Sequence, residues 1–308
     1  MGDEEATVKL PTKDEITSGL SQVTRTTDGT GWAMAKLDLS EKELSGFGDT
    51  LNEFVHIRYL NASGNKIADS TALGKLTNLL ALDMSNNELT SLPEEQLEYL
   101  QVVNVANNKL ENPGFAGGAP SLLTLNASNN ALSSLAGGLQ SSTELVTLNI
   151  SGNSTLSSLE DIGALPMLKT LDVSACGLTS LGGLTEVPSL ETLNVEGNAE
   201  LVELGGFADV DTLGNLKEIN ASSTGIADVG EIQHLRSLPS LRTLKLSESP
   251  IASVDNYVVE LLIVLPNLKV LDDEEITDEQ REEAKSLIAQ REEEARAKAE
   301  AEEEEGDE

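Results

Sequence analysis

The sequence predicts an α/β solenoid, a curved stack of about ten short coils that each give one strand to a parallel concave sheet. The first observation is a recurring phrase, with copies such as "LDLSEKEL", "LNASGNKI", "LDMSNNEL", "LNASNNAL" and "LDVSACGL". The second is its period. The copies begin at Leu37, Leu60, Leu82, Val103, Leu125, Leu148, Leu171, Leu193, Ile219 and Leu244, at steps of 21 to 26 residues, and an incomplete unit begins at Leu271. The third is alternation within each copy, as in Leu82, Asp83 and Met84, which sends apolar side chains inward and polar ones to the opposite face of a short strand.

The elements follow in chain order. "TKDEITSGLSQV" opens with a capping box, Thr12 to Glu15, and carries Ile16, Leu20 and Val23 at helical spacing. It predicts a helix covering the first coil, with Trp32 and Phe47 completing its apolar contact. The phrase that follows matches L-x-x-L-x-L-x-x-N/C-x-L, the leucine-rich repeat, in a horseshoe of roughly 22-residue units. So short a unit leaves room on the convex side for only a turn or two of helix or 3₁₀ helix. Two longer insertions, "GGFADVDTLGN" and "DNYVVELLIVLPN", should bulge or form a true helix. The second offers Asp255 as N-cap and Val258, Leu261, Leu262 and Leu265 as one apolar face. "VLDDEEITDEQREEAKSLIAQ" closes the last coil and starts another helix at a Thr277 to Gln280 box, with Ala284, Leu287 and Ile288 as its apolar seam. The domain reading is 1–34 as acidic leader and capping helix, 35–276 as repeat domain with its C-terminal cap, and 277–308 as charged acidic helix or tail.

Charge and composition exclude several function classes. The 308 residues carry a formal net charge of −33, and residues 272–308 contribute 18 acidic against 5 basic side chains. Such a chain repels polyphosphate and anionic lipid, so no nucleic acid and no membrane surface is expected as partner. The apolar run "VVELLIVL" is far too short to span a bilayer. One cysteine, no secretion-type opening segment and an acidic start at "MGDEEATVKL" lead to the expectation of an intracellular, cytoplasmic chain.

Chemistry-bearing motifs are scarce. His56 and His234 lie far apart in the sequence and neither falls in a metal-ligand pattern. "DVDTLG", Asp209 to Gly214, begins like a calcium loop but puts Leu213 where an oxygen ligand is needed. Neither a P-loop nor a G-x-S-x-G elbow occurs. The expectation is no enzyme, no cofactor, no metal and no small-molecule substrate.

Two sets of residues stand out instead. Asn65, Asn87, Asn108, Asn130, Asn153, Cys176 and Asn198 occupy one repeat position, where the chain leaves the strand and turns inward. They are expected to form a structural ladder that satisfies backbone groups at the bend, with Cys176 as a small substitute for asparagine. On the concave face the middle column runs from Asp38 through Asn61 and Asn126 to Lys245, flanked by threonine and serine columns. These columns are expected to satisfy one another between strands. Candidate partner contacts are Lys36, Arg58 and Tyr59 in the first coils and Arg281, Lys285 and Arg291 in the last helix.

The flanks carry a resemblance beyond the repeat. "GLSQVTRTTDGTGWAMAKLDLSEKELSGFGDTLNEFVHIRYLNASGNKI" at the front and "VGEIQHLRSLPSLRTLKLSESPIASVDNYVVELLIVLPNLKVLDDEEITDEQREEA" at the back resemble the caps of the radial-spoke family of leucine-rich repeat-containing protein 23. The resemblance spans about residues 10 to 295. It implies a non-enzymatic component of the ciliary or flagellar axoneme, assembled with other axonemal radial-spoke proteins and required for motility. It carries over no binding residues. Alternative readings are a leucine-rich-repeat regulatory subunit of a protein phosphatase, which calls for acidic and aromatic anchors on the concave face, and an acidic-tailed histone chaperone. The recurrence of Arg281, Lys285, Arg291, Arg296 and Lys298 at helical spacing favours a helix over a polyanionic tail.

Overall fold

In a computed structural model, residues 8–306 are described apart from Glu94 and 208–212. The acidic first seven residues and most of the "DVDTLG" segment therefore lie outside the described residues. One 13-stranded sheet runs through the molecule with its strands in sequence order. β1 (Leu20–Arg25) pairs antiparallel with β2 (Trp32–Asp38), and β2 pairs in parallel with β3 (Tyr59–Asn61). Parallel three-residue strands then follow one per coil to β11 (Thr243–Lys245). β12 (Val270–Leu271) continues the parallel order and β13 (Glu274–Glu275) turns back against it. Opposite the sheet, the coils close through 3₁₀ turns such as Thr71–Lys75 and Val229–Ser237, as the short period requires.

The core is a column of leucines between sheet and convex turns. In one coil, Leu76, Leu79, Leu82, Met84, Leu89 and Leu92 are all buried, and equivalent sets recur along the stack. Each buried leucine contributes roughly 1.5–3 kcal/mol, but only once the neighbouring coils cover it.

A second periodic feature sets the bend after each strand. The residue just before the ladder position is left-handed in coil after coil: Gly64 (φ 67°), Asn86 (55°), Asn107 (56°), Asn129 (53°), Gly152 (71°), Ala175 (50°), Gly197 (73°) and Ser223 (54°). Glycine and asparagine tolerate that region, which explains the recurring G-N and N-N pairs; Ala175 does not have that freedom.

The front cap differs from expectation. α1 (Lys13–Gly19) is capped by Thr12 and Glu15 as the sequence indicates and buries Ile16 against β2. It ends at Gly19, so Leu20 and Val23 lie on a strand, not on the helix. The Asp28–Gly29 turn, with Gly29 at φ 72°, folds β1 back on β2 as a hairpin. Phe47 is buried as expected, but Trp32 is 72% exposed.

At the back, α2 (Tyr257–Val264) forms within the second insertion and buries Tyr257, Val259, Leu261, Leu262 and Val264. Its N-cap is Asn256, left-handed at φ 58° and without a capping side-chain bond, rather than Asp255; Val258 is only half-buried. Asp272 ends the coil stack: its carboxylate accepts from the N–H groups of Leu246 (2.7 Å) and Ser247 (2.8 Å) and from the Tyr257 hydroxyl (3.0 Å). α3 (Asp278–Gly306) starts at the Thr277–Gln280 box and continues as a helix beyond Gln290.

Candidate protein-interaction surface

The ladder residues occupy one line of bends and repeat one hydrogen-bond pattern. The Asn65 amide donates to the carbonyls of Leu39 (2.9 Å) and Ala62 (2.8 Å), while its Oδ1 accepts from the N–H of Leu44 (3.0 Å) in the preceding coil. Asn87, Asn108, Asn130, Asn153 and Asn198 do the same for Ile67, Leu89, Leu110, Leu132 and Leu178. Asn65, Asn87, Asn153 and Asn198 are buried, and Asn108 and Asn130 are half-buried. Each side chain thus joins two adjacent coils.

Cys176 departs from this pattern for a local reason. Its Sγ approaches the carbonyls of Ile150 (3.4 Å) and Ser174 (3.5 Å) but takes no bond from Leu156, the N–H that an asparagine would accept here. In the preceding coil one extra residue lets Leu156 donate to the Asn153 carbonyl (2.9 Å) of its own coil. The same insertion pairs Leu201 with the Asn198 carbonyl (3.0 Å), and there the next rung is Thr224, whose hydroxyl donates to the Ala221 carbonyl (2.8 Å) and bonds the Ser249 hydroxyl (3.0 Å). In both places the leucine N–H is satisfied within its own coil. Burial pushes the Cys176 thiol pKa up, away from the reactive thiolate.

The concave columns are satisfied mainly within each coil rather than between strands. Asn61 Oδ1 accepts from the N–H (3.0 Å) and hydroxyl (2.8 Å) of Ser63, and Asp83, Asn149 and Asp172 bind Ser85, Ser151 and Ser174 in the same way. These are Asx turns at the strand ends. Cross-strand bonds are fewer, as from Asn104 to Asp83 (3.2 Å) and from Asn220 to Glu196 (2.8 Å).

The N-terminal corner of this face is different. Alternation along β2 buries Ala35 and Leu37 and turns Trp32, Met34 and Lys36 outward. The hairpin register places Arg25 opposite Trp32 and Val23 opposite Met34, on the same side. Lys36 is in register with Tyr59, Tyr59 with Ala81, and Ala81 with Val102. The outcome is a continuous exposed surface of Val23, Trp32, Met34, Tyr59 and Val102. Arg25, Lys36 and Arg58 join it, and the Arg58 guanidinium donates to the Arg25 carbonyl at 3.1 Å. Lys36, Arg58 and Tyr59 are thus brought together, while Trp32, Met34, Val23 and Arg25 were missed as surface residues. For Trp32 and Met34 the signal was the small-large alternation of "WAMAKLD"; Val23 and Arg25 are placed by the hairpin register.

The candidate residues of the last helix sit apart from that corner. The Arg281 guanidinium donates to the carbonyls of Pro266 (2.7 Å) and Leu268 (2.6 Å), and Arg291 is paired with Glu260 of α2 (3.0 Å). Both hold α3 to the body. Lys285 is exposed and pairs with Glu282 on its own helix (2.7 Å). Ala284 is buried against α2, and Ile288 lines a groove of about 170 Å³ with Leu262, Ile263 and Pro266.

Among the described residues no group of histidine, cysteine or carboxylate side chains is placed to hold a metal ion, and no helix is long and apolar enough to cross a membrane. Asymmetric exposure along a rigid sheet is an arrangement for binding another protein.

Comparison with known proteins agrees with this architecture. The leucine-rich repeat family model matches residues 146–301. Leucine-rich repeat-containing protein 23 of Bos taurus is 32% identical over 90% of this chain and 79% of its own length. That of Homo sapiens is 31% identical over 91% and 80%. Among solved structures, the functional domain of InlJ from Listeria monocytogenes, which includes a cysteine ladder, superposes with a TM-score of 0.55 at 21% identity, covering 80% of this chain and 56% of that one. That likeness concerns the fold alone. The repeat, the paired caps and identity across nine-tenths of the chain show that it belongs to the leucine-rich repeat-containing protein 23 family, as a leucine-rich-repeat protein with a protein-interaction role.

Proposed function

We propose that this chain is a non-enzymatic scaffold of the axonemal radial spoke, docking other spoke proteins in the cytoskeleton of a cilium or flagellum and needed for its beating. The observation that carries the reading is 32% identity to a family member across 90% of the chain. A repeat alone hosts many functions, whereas similarity sustained over nearly the whole chain marks one lineage of solenoids. Charge adds a restriction: a net −33 chain is repelled by the acidic microtubule lattice and so belongs among other spoke proteins rather than spread on tubulin. The phosphatase reading asks for aromatic and acidic anchors together; the aromatic corner of the concave face is lined with Arg25, Lys36 and Arg58.

A tagged copy expressed in ciliated cells tests the proposal. It should remain with detergent-extracted axonemes and leave them with the radial-spoke fraction at high salt. A copy found wholly in the soluble fraction overturns it.

A further inference from the structure

We propose that the N-terminal corner of the concave sheet is a docking site for an acidic amphipathic helix of a partner protein. Trp32 is 72% exposed and Val23 59%, on a hairpin whose second strand buries Ala35 and Leu37 on its other face. Large aromatic and aliphatic side chains exposed side by side mark an interaction surface, and tryptophan, tyrosine and arginine are the residues on which binding energy concentrates.

Charge identifies the occupant. The chain is strongly acidic, yet Arg25, Lys36 and Arg58 cluster here, and among the described residues none of the three is in a salt bridge with a carboxylate. Asp28 is bound by Thr26 and Thr30 (3.0 Å) and Asp38 by Ser40 (2.7 Å), and Asp38 acts on Lys36 only through space, without an ion-pair contact. Three cations without a contacting carboxylate around an apolar floor complement a segment that is acidic on its flanks and apolar on one stripe.

Dimensions favour a helix. The row from Lys36 through Tyr59 and Ala81 to Val102 crosses four strands. At about 4.8 Å per strand it spans roughly 14 Å, the length of about ten helical residues, so apolar anchors at i, i+3 or i+4, and i+10 or i+11 would meet Met34, Tyr59 and Val102. A second copy of this chain fits poorly, because its acidic α3 already spends Ala284 and Leu287 against its own body. The inference holds whether or not the chain resides on an axoneme.

The test uses the full chain with a photoreactive benzophenylalanine at Met34, and in a control at the exposed Val202, in an extract of cells that make the protein. Illumination followed by mass spectrometry should join position 34, and not 202, to a partner segment of net negative charge with apolar residues at helical spacing. A synthetic peptide of that segment should shift the emission of the only tryptophan, Trp32, to the blue. Lys36→Glu with Arg58→Glu should weaken its binding at least about tenfold, with the circular dichroism and melting temperature of the chain unchanged. If the reversals disturb folding, raising salt on the unaltered chain must produce the weakening instead. No cross-link at position 34, a basic segment, a second copy of this chain, capture by phosphatidylserine vesicles in place of protein, or affinity indifferent to both charge reversal and salt overturns the proposal.

Discussion

At the scale of single residues, each coil depends on two adjacent positions, a left-handed residue and the ladder side chain after it. Ala175 holds φ 50° without glycine's freedom. Left-handed backbone costs an L-residue about 1–2 kcal/mol, part of which glycine's greater unfolded-state entropy offsets, so Ala175→Gly should stabilise the chain by about 0.5–1 kcal/mol in urea unfolding. The neighbouring ladder separates essential from tolerant rungs. Asn130→Ala would strand the Leu110 N–H and take one of two donors from the carbonyls of Val105 and Ala127, which keep Asn108 and Asn153, at a cost of about 1–3 kcal/mol. Cys176→Ala removes only weak sulfur contacts, to the carbonyls of Ile150 and Ser174, and should cost about 1 kcal/mol or less. Iodoacetamide should modify Cys176 slowly in the folded chain and rapidly after denaturation; rapid native labelling would contradict its burial.

At the scale of elements, the caps carry the informative departures. The hairpin turn holds Asp28 against the Thr26 and Thr30 groups, and these hydrogen bonds lower its carboxyl pKa to about 2. Because the folded value lies below the unfolded value of about 3.9, the stabilisation is present above pH 3.9 and lost as pH falls through about 2. Titration followed by nuclear magnetic resonance should show Asp28 ionised at pH 3, and Thr26→Val should move its midpoint upward. The back cap depends on α3 staying docked through Arg281 and Arg291. Arg281→Ala with Arg291→Ala should raise hydrogen exchange across Asp278–Arg291 while the coil strands keep their protection. Exposed pairs such as Arg291–Glu260 are worth only about 0.2–1 kcal/mol, so global stability should change little.

These two caps also mark how far the sequence could be read. Repeat period and inward leucines were legible because every coil states them again, and the ladder because asparagine recurs at one position. The front cap occurs once. There, Ile16, Leu20 and Val23 fit a helical period, but the Asp28–Gly29 turn and the period-two pattern of "WAMAKLD" prevail, since a strand is what the open edge of β2 can pair with. Trp32 was assigned to the core on residue type, and only the hairpin register reveals that it faces out. At the back, Arg281 and Arg291 read as partner contacts because nothing in sequence places the carbonyls of Pro266 and Leu268, or Glu260, beside them.

At the scale of the whole molecule, the coils form a rigid spacer whose middle is self-satisfied and whose ends differ. The concave face is closed by Asx turns through its centre, apolar and cationic at the front corner, and succeeded at the back by a helix that continues to Gly306. Such polarity suits a part that joins neighbours at defined separation, as the proposed place in a radial spoke requires. The most direct measurement is cryo-electron tomography of axonemes from cells with and without this chain, averaged over the spoke repeat. The account predicts that removal deletes or shortens density within a radial spoke and that restoring the chain restores it. Averages with every spoke complete in its absence would contradict the account.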